Sequence, residues 1–442
     1  MSSIPVLEAL KFWLRLGFIS FGGPAGQIAL MHRELVDRRR WISERRFLHA
    51  LNYCMLLPGP EAQQLATYLG WLMHRTWGGI LAGVLFVLPS LVIMIGLSAV
   101  YVAYGHSPVV AGLFYGIKPA VAAIVLHAVW RIGSRTLRHP RQAPALWVIA
   151  VASFVALAVL AIPFPWVIAS AALAGVFGAR WAPGQFAMSG GGHAAAATAQ
   201  GPALIDDDTP APDHARFSRR RLAIVVAVGL ALWLLPMALL VMAQGWQGTL
   251  TQMAWFFSKA AMLTFGGAYA VLPYVYQGAV EHHQWLSGAQ MMDGLALGET
   301  TPGPLIMVVA FVGFLGGWAR QVLGPDALFL GAALAACVVT WFTFLPSFIF
   351  ILAGGPLVES TRGQLRFTAP LTAITAAVVG VIASLGLVFL VHVGWGAAGP
   401  DLVALALTAL ALWALAGRAW NVVTVIAAGG AIGLGLRLTG LV

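Results

Sequence analysis

Apolar residues run through this chain in stretches too long and too unbroken for the strands or amphipathic helices of a soluble protein. Leu222–Ala243 is 22 residues without a charge, and Trp77–Tyr104 is 28. A helix needs about 20 such residues to cross the hydrocarbon core of a bilayer. Further candidate spans are Val109–Val129, Ala327–Ala353, Phe367–Val391, Leu402–Ala416 and Trp420–Leu436, with Ala145–Ala179 holding two spans separated by Pro163 and Pro165. The pattern predicts an all-α polytopic membrane protein. Glu8, Lys11 and Arg15 lie inside the first apolar run and no small-residue cleavage site follows, so that run reads as mature protein and not as a signal peptide.

Composition agrees with the pattern. Apolar residues make up 60% of the 442 positions and charged residues 9%, against about a quarter charged in a soluble domain. A net charge of +10 raises the question of a nucleic-acid partner, but the basic residues cluster in short loops between spans, as the positive-inside rule requires. The expected surroundings are a lipid bilayer and no nucleic acid. Cys54 and Cys337 both lie in apolar surroundings and offer neither a disulfide framework nor a metal set. No cofactor is expected.

The chain repeats itself. Phe21-Gly22-Gly23 recurs as Phe265-Gly266-Gly267, an offset of 244. The same offset relates Arg15 to Lys259, Trp41-Ile42-Ser43 to Trp285-Leu286-Ser287, and Pro58-Gly59-Pro60 to Pro302-Gly303-Pro304. After a short insertion, Leu88-Pro89-Ser90 matches Leu345-Pro346-Ser347. The chain therefore divides into an N-terminal half (1–180), a linker (181–221) and a C-terminal half (222–442). The linker holds Ser189–Gly192, an alanine run, Asp206–Asp208 and Arg219–Arg221; its low apolar content predicts a flexible cytoplasmic segment. His193 and His214 read there as solvated residues and not as metal ligands.

Loop charges predict that the halves are inverted. His32–Arg46 carries Arg33, Arg38, Arg39, Arg40, Arg45 and Arg46, while its counterpart Gln277–Ser287 has no Lys or Arg. The next loops reverse this: Tyr104–Pro108 has no basic residue and its counterpart carries Arg362 and Arg366. Arg131, Arg135, Arg138 and Arg141 likewise face an uncharged His392–Pro400. Inverted halves are a common transporter plan. Parity then requires residues 5–31, 47–72, 251–275 and 289–318 each to start and end on one side, as broken or re-entrant helices, with about nine continuous spans besides.

The breaks carry the chemistry. Exposed backbone is costly in hydrocarbon unless protein or a polar cavity satisfies it; the competing explanation is close packing or a kink. Pro60 and Pro304 suit the first turn of a helix, and a helix N-terminus suits an anion. Gly22, Gly23, Pro24, Pro58, Gly59, Gly266, Gly267, Pro302 and Gly303 form the breaks themselves. All three lysines, Lys11, Lys118 and Lys259, lie in or near membrane segments, as does Arg15. Intramembrane cations are costly and usually functional, although Lys11 and Arg15 are also placed to snorkel to an interface. Glu61 and Glu299 are candidate proton carriers or partners of those cations, and Glu61 also complements a helix dipole. Gln63, Gln64, Thr67, Thr300 and Thr301 add hydrogen-bonding capacity, and Asn52 fits a helix–helix bond as well. The residues alone reach a transporter of a small anion. An intramembrane enzyme is the rival class, but there is no His-Glu-x-x-His and no serine nucleophile with a matching membrane histidine.

At these residues the sequence resembles the chromate ion transporter (CHR) family. The resemblance is carried by Phe21–Gln27, Leu57–Leu65 and Thr300–Leu305, and Gly116–Val121 looks like a further family block. It spans both halves and not the linker. It implies an inner-membrane protein that exports chromate and confers chromate resistance. Sulfate, a tetrahedral dianion of similar size, is the natural competitor. Proton coupling, anion exchange and membrane potential all remain open as the energy source.

Overall fold

The computed structural model describes residues 4–105, 107–186, 203–207, 209, 212–360, 368–396 and 399–441. The expected loop arginines Arg362 and Arg366, the linker residues Ser189–Gly192, the alanine run, His193 and Asp208 lie outside these residues. The first half contains α1 (Val6–Ile19), α2 (Gly23–His32), α3 (Glu44–Leu56), α4 (Glu61–Tyr104), α5 (Pro108–Thr136), α6 (Pro144–Ala158), α7 (Phe164–Trp181) and the single turn α8 (Pro183–Phe186). The second half contains α9 (Arg219–Gln244), α10 (Thr249–Leu263), α11 (Ala268–Tyr276), α12 (Gly288–Thr300), α13 (Val308–Ala319), α14 (Leu328–Ser360), α15 (Thr368–Gly394), α16 (Leu402–Gly417) and α17 (Val422–Leu438).

The duplication is visible element by element. All four expected breaks are present, between α1 and α2, α3 and α4, α10 and α11, and α12 and α13. Each turns on glycine in the left-handed region: Gly22 (φ 89°) and Gly23 (69°), Gly59 (129°), Gly266 (79°) and Gly267 (93°), and Gly303 (105°). A residue with a side chain is strained there. The match extends to features that sequence patterns do not show. π-helical turns occupy Arg33–Arg38 and Gln277–His282, and Ser43 and Ser287 each cap the following helix by accepting from a backbone N–H.

Equivalent helices run in opposite directions. On α5 and α15, Gly133 packs against Val379 while Gly386 packs against Leu126; as one number rises the other falls, so the pair is antiparallel. Two copies related in this way are inverted copies. The halves also exchange partners, with α5 packing on α16 and α17, and α15 on α6 and α7. Small residues let these backbones close. A methyl on Gly116 would strike the carbonyl of Gly429, and one on Gly380 that of Ala150. Gly112/Gly116 and Gly429/Gly433 thus meet as two small-xxx-small faces.

α9 has no counterpart in the first half. It lies against α10 and α14, with Trp233 Nε1 donating to Ser258 Oγ (2.8 Å) and Trp341 Nε1 donating to the Leu232 carbonyl (3.1 Å). An odd helix between the halves is what inversion requires when each half makes an even number of crossings. Among the described residues, six helices are long and apolar enough to cross a membrane. α6, α16 and α17 have 15, 16 and 17 residues, about 22–26 Å at 1.5 Å per residue, so the nine expected spans are not all of full length.

The linker differs from expectation in its described C-terminal part. Ile205 pairs with Ile42: the Leu204 and Ile205 amides donate to the Arg40 and Trp41 carbonyls (2.9 and 3.0 Å), and the Ser43 amide donates to Ile205 (3.0 Å). Ser43 Oγ donates to Asp207 (2.6 Å) and Arg46 donates to the Thr209 carbonyl. His214, read as solvated, hydrogen-bonds the Trp71 carbonyl at 2.9 Å, and Ala215 is buried. Composition missed this because the contacts are largely backbone pairing onto a fixed loop, which needs few apolar side chains.

Candidate functional site

The four breaks interlock across the halves. The Gly59 amide donates to the Thr264 carbonyl (2.7 Å) and the Gly303 amide to the Ser20 carbonyl (2.9 Å). Ser20 and Thr264 are the residues just before the two Phe-Gly-Gly motifs, so each Pro-Gly-Pro turn is held by the opposite half. Gln27 Nε2 reinforces one junction, donating to the Gly303 carbonyl (2.5 Å) and to Ser20 (3.3 Å). Gln64 Nε2 braces the other, donating to Pro58 (2.7 Å) and Ser347 Oγ (3.3 Å). Neither glutamine is repeated in the other half, where Val271 and Val308 stand at the matching positions.

Open space lies at the Phe-Gly-Gly breaks and not at the Pro-Gly-Pro ones. A Cβ added to Gly22, Gly23, Gly266 or Gly267 would meet nothing within 4 Å. Added to Gly303 it would lie 2.6 Å from Ser90 Cβ, and added to Gly59 it would strike Ser347 and Gln64. At Gly59 and Gly303, two of the expected breaks, the amides are already bonded and the space beside the α-carbon is filled. Pro58 is half-buried and Pro60, Pro302 and Pro304 are buried around the same junctions, whereas Pro24 opens α2 beside the free space.

The predicted cations separate into two groups. Arg15 and Lys259, together with Lys11, are exposed on α1 and α10; Lys259 Nζ sits 5.6 Å from the Trp255 ring centroid. The structure does not bring them to the buried site, and a snorkelling geometry accounts for them. Lys118 is different. Its Nζ lies 3.7 Å from Asp293 Oδ1, an ion-pair distance too long for a hydrogen bond. Asp293 is 3% exposed, and its Oδ2 accepts from Tyr101 at 2.8 Å. Its Oδ1 has no hydrogen-bond partner among the described residues. Sequence reasoning missed Asp293, although a lone carboxylate in the apolar run Met291–Leu297 was the available signal.

The carboxylates separate too. Glu299 is buried and accepts from the Tyr269 hydroxyl. Glu61 opens α4 half-buried, where a carboxylate complements the helix dipole. Gln63 donates to Thr67 Oγ1 (2.9 Å), leaving its buried Oε1 unpaired among the described residues. The hydroxyls of Thr300 and Thr301 donate back to the Ala296 and Leu297 carbonyls of their own helix (3.0 and 2.6 Å), and that of Thr301 also lies 3.6 Å from Met94 Sδ on α4. Asn52 is exposed.

A junction of four helix breaks, with Glu299 buried at the end of α12 and the Lys118–Asp293 pair bridging α5 and α12, suits the passage of a charged solute. The Chromate transporter family model matches residues 7–176 and 251–434, both halves and not the linker. The chain belongs to the chromate transporter family. It is similar to the Chromate transport protein of Pseudomonas aeruginosa, 34% identical over 84% of this chain and 77% of that one. It is also similar to the Chromate transport protein of Cupriavidus metallidurans, 28% identical over 85% of this chain and 80% of the relative. The Probable chromate transport protein of Synechococcus elongatus is 27% identical over 85% and 82%. No solved structure matches. Within this transporter family, then, the chain is a multi-pass membrane protein of two repeated, inverted halves.

Proposed function

We propose that this protein moves chromate out of the cytoplasm across the bacterial inner membrane and so confers chromate resistance, with sulfate as the competing anion. The observation that carries the reading is the family match over both halves, shared with relatives named as chromate transport proteins. In this reading the arginine-rich turn His32–Arg46 and the strap 203–215 lie in the cytoplasm, and α9 carries the chain outward to begin the second half.

The site itself is proposed at the interlocked breaks. A dianion entering a low-dielectric region needs compensating positive charge and aimed donors. Lys118 supplies charge, and Asp293 holds it while the site is empty. The N-terminal turns of α2 and α11, opening at Gly23 and Gly267, supply donors. Efflux of a dianion from a negative-inside cell gains about 2.3 kcal/mol per charge per 100 mV, so potential alone suffices to drive it. Purified protein in proteoliposomes, with potential and pH gradient imposed separately, tests the reading. Chromate accumulation that sulfate inhibits is expected. Absence of flux under either gradient, or chemical turnover of chromate without movement, would overturn it in favour of another anion or of an intramembrane enzyme.

A further inference from the structure

The charge pattern assigns Arg131 to a loop, yet it lies inside α5, as does Arg135. The two differ in what they face. Arg135 is exposed, whereas Arg131 is half-buried with its guanidinium carbon 5.9 Å from the Tyr269 ring centroid. Tyr269 stands two residues past Gly267 in the first turn of α11, and its hydroxyl donates to Glu299. Glu299 is next to last in α12, just before the Thr301–Pro304 break. A guanidinium, an aromatic hydroxyl, a buried carboxylate and the open space at Gly266 and Gly267 therefore converge at one junction.

We infer that Arg131 is a substrate-contacting residue, binding the tetrahedral oxyanion at the Gly266–Gly267 break with Glu299 as its resident counter-charge. The inference rests on the transport reading above and adds a cation that the motifs did not point to. Arg131 makes no ion pair within 4 Å among the described residues, so its N–H groups are not consumed by a carboxylate. A guanidinium presents five donors in a planar fork that matches two oxygens of an oxyanion. The adjoining N-terminal turn of α11 adds partial positive charge on the same side. Glu299 keeps the site close to neutral when it is empty, and its hydrogen bond fixes the ring over which the guanidinium rests.

Lys118 and Arg131 then mark two positions on one helix. Thirteen residues separate them on α5, about 20 Å of rise; Lys118 pairs with Asp293 of α12, and Arg131 rests by the ring of Tyr269, whose hydroxyl bonds Glu299 of the same helix. On the orientation proposed above, Arg131 lies nearer the cytoplasmic end of α5 and Lys118 beyond the break. An exported anion meets Arg131 first. Both cations are needed for a two-stage passage, in which binding at each stage is weak enough to release.

The test is chromate flux and its KM in proteoliposomes for Arg131→Gln, Arg131→Lys and the control Arg135→Gln, with sulfate competition measured in each. Arg131→Gln is expected to raise the KM for chromate and the inhibition constant for sulfate together by about tenfold or more, the scale of one lost charge-assisted fork. Arg131→Lys, which keeps charge and loses the fork, falls between, and Arg135→Gln matches the wild type. If Arg131→Gln does not assemble, the Arg131→Lys KM decides alone. An unchanged KM in the assembled Arg131 variants, with the wild type active, overturns the inference and leaves the transport reading intact. A wild type that moves no chromate overturns the transport reading, and chromate binding to the detergent-purified wild type and Arg131 variants then decides Arg131 separately: equal affinity would dismiss it.

Discussion

The amide of Gly303 donates to the carbonyl of Ser20 at 2.9 Å, and its repeat-mate Gly59 does the same to Thr264 at 2.7 Å. Each half thus closes the other's broken helix. Backbone left unpaired inside a membrane costs several kcal/mol per group, so these two bonds convert separate liabilities into one junction.

The junction predicts a contrast between glycines. Gly303→Ala places a methyl 2.6 Å from Ser90 Cβ at a φ of 105°, combining a clash with strain of about 1–3 kcal/mol. Gly22→Ala meets open space and bears only the left-handed penalty, about 1–2 kcal/mol. The melting temperature of detergent-purified protein should fall clearly more for Gly303→Ala, with reduced membrane abundance. Equal melting for the two variants would mean that the Pro-Gly-Pro turns are not packed as described.

Lys118 and Asp293 should behave as a coupled pair. Lys118→Met leaves a buried carboxylate without its cation, so both abundance and flux should fall. Asp293→Asn frees the lysine and retains an acceptor for Tyr101. The double variant Lys118→Met/Asp293→Asn should recover abundance but not chromate flux, because balance is restored while the positive charge is gone. Flux recovered along with abundance would assign Lys118 a purely structural role.

The fold was legible in the sequence to an uneven depth. Gly and Pro at a fixed offset located all four breaks, because these residue types are constrained by backbone geometry that needs no neighbours to be known. Arginine counts predicted the inversion that the antiparallel α5 and α15 display. Burial direction was not legible. Lys259 and Lys118 look alike in sequence, and only packing leaves one exposed and sets the other against Asp293. Arg131 was lost because a loop boundary drawn from charge alone swallowed the last turns of α5. Tyr269 and Tyr101 gave no signal, since their roles depend on hydroxyls meeting carboxylates some 30 and 192 residues away.

The linker divides in two. Removing residues 187–202 should leave abundance and flux near wild type. Removing 203–215 strips the backbone pairing to Arg40 and Trp41 and the contacts to Ser43, Arg46 and Trp71, and should lower thermal stability and flux together. Western-blot abundance and resistance plates for both deletions check this. Tolerance of the second deletion would show that the strap is ornamental.

Orientation is checked by labelling. With Cys54 and Cys337 replaced, single cysteines in His32–Arg46 and Gln277–Ser287 should react with an impermeant maleimide from opposite sides, the second from outside intact cells. Reaction of both from one side would contradict the antiparallel arrangement of the halves.

The last prediction separates the two glutamates. Glu299 accepts from Tyr269 beside Arg131, whereas Glu61 heads α4 with no hydrogen bond or ion pair among the described residues. Glutamine keeps an acceptor oxygen at either position and removes only the charge. If Glu299 serves to hold Arg131 in the empty site, Glu299→Gln removes a competitor for the guanidinium. The KM for chromate should then fall while release slows, lowering the maximal rate at every pH. If Glu299 instead carries a proton across, the affinity should change little and the dependence of flux on an imposed pH gradient should vanish. Glu61→Gln loses only a favourable interaction with a helix N-terminus, about 0.3–1 kcal/mol, and should alter stability more than rate. Initial rates of chromate flux at several pH values, with and without a pH gradient, distinguish these outcomes. A Glu299→Gln variant with wild-type KM, rate and pH response would remove the carboxylate from the transport cycle altogether.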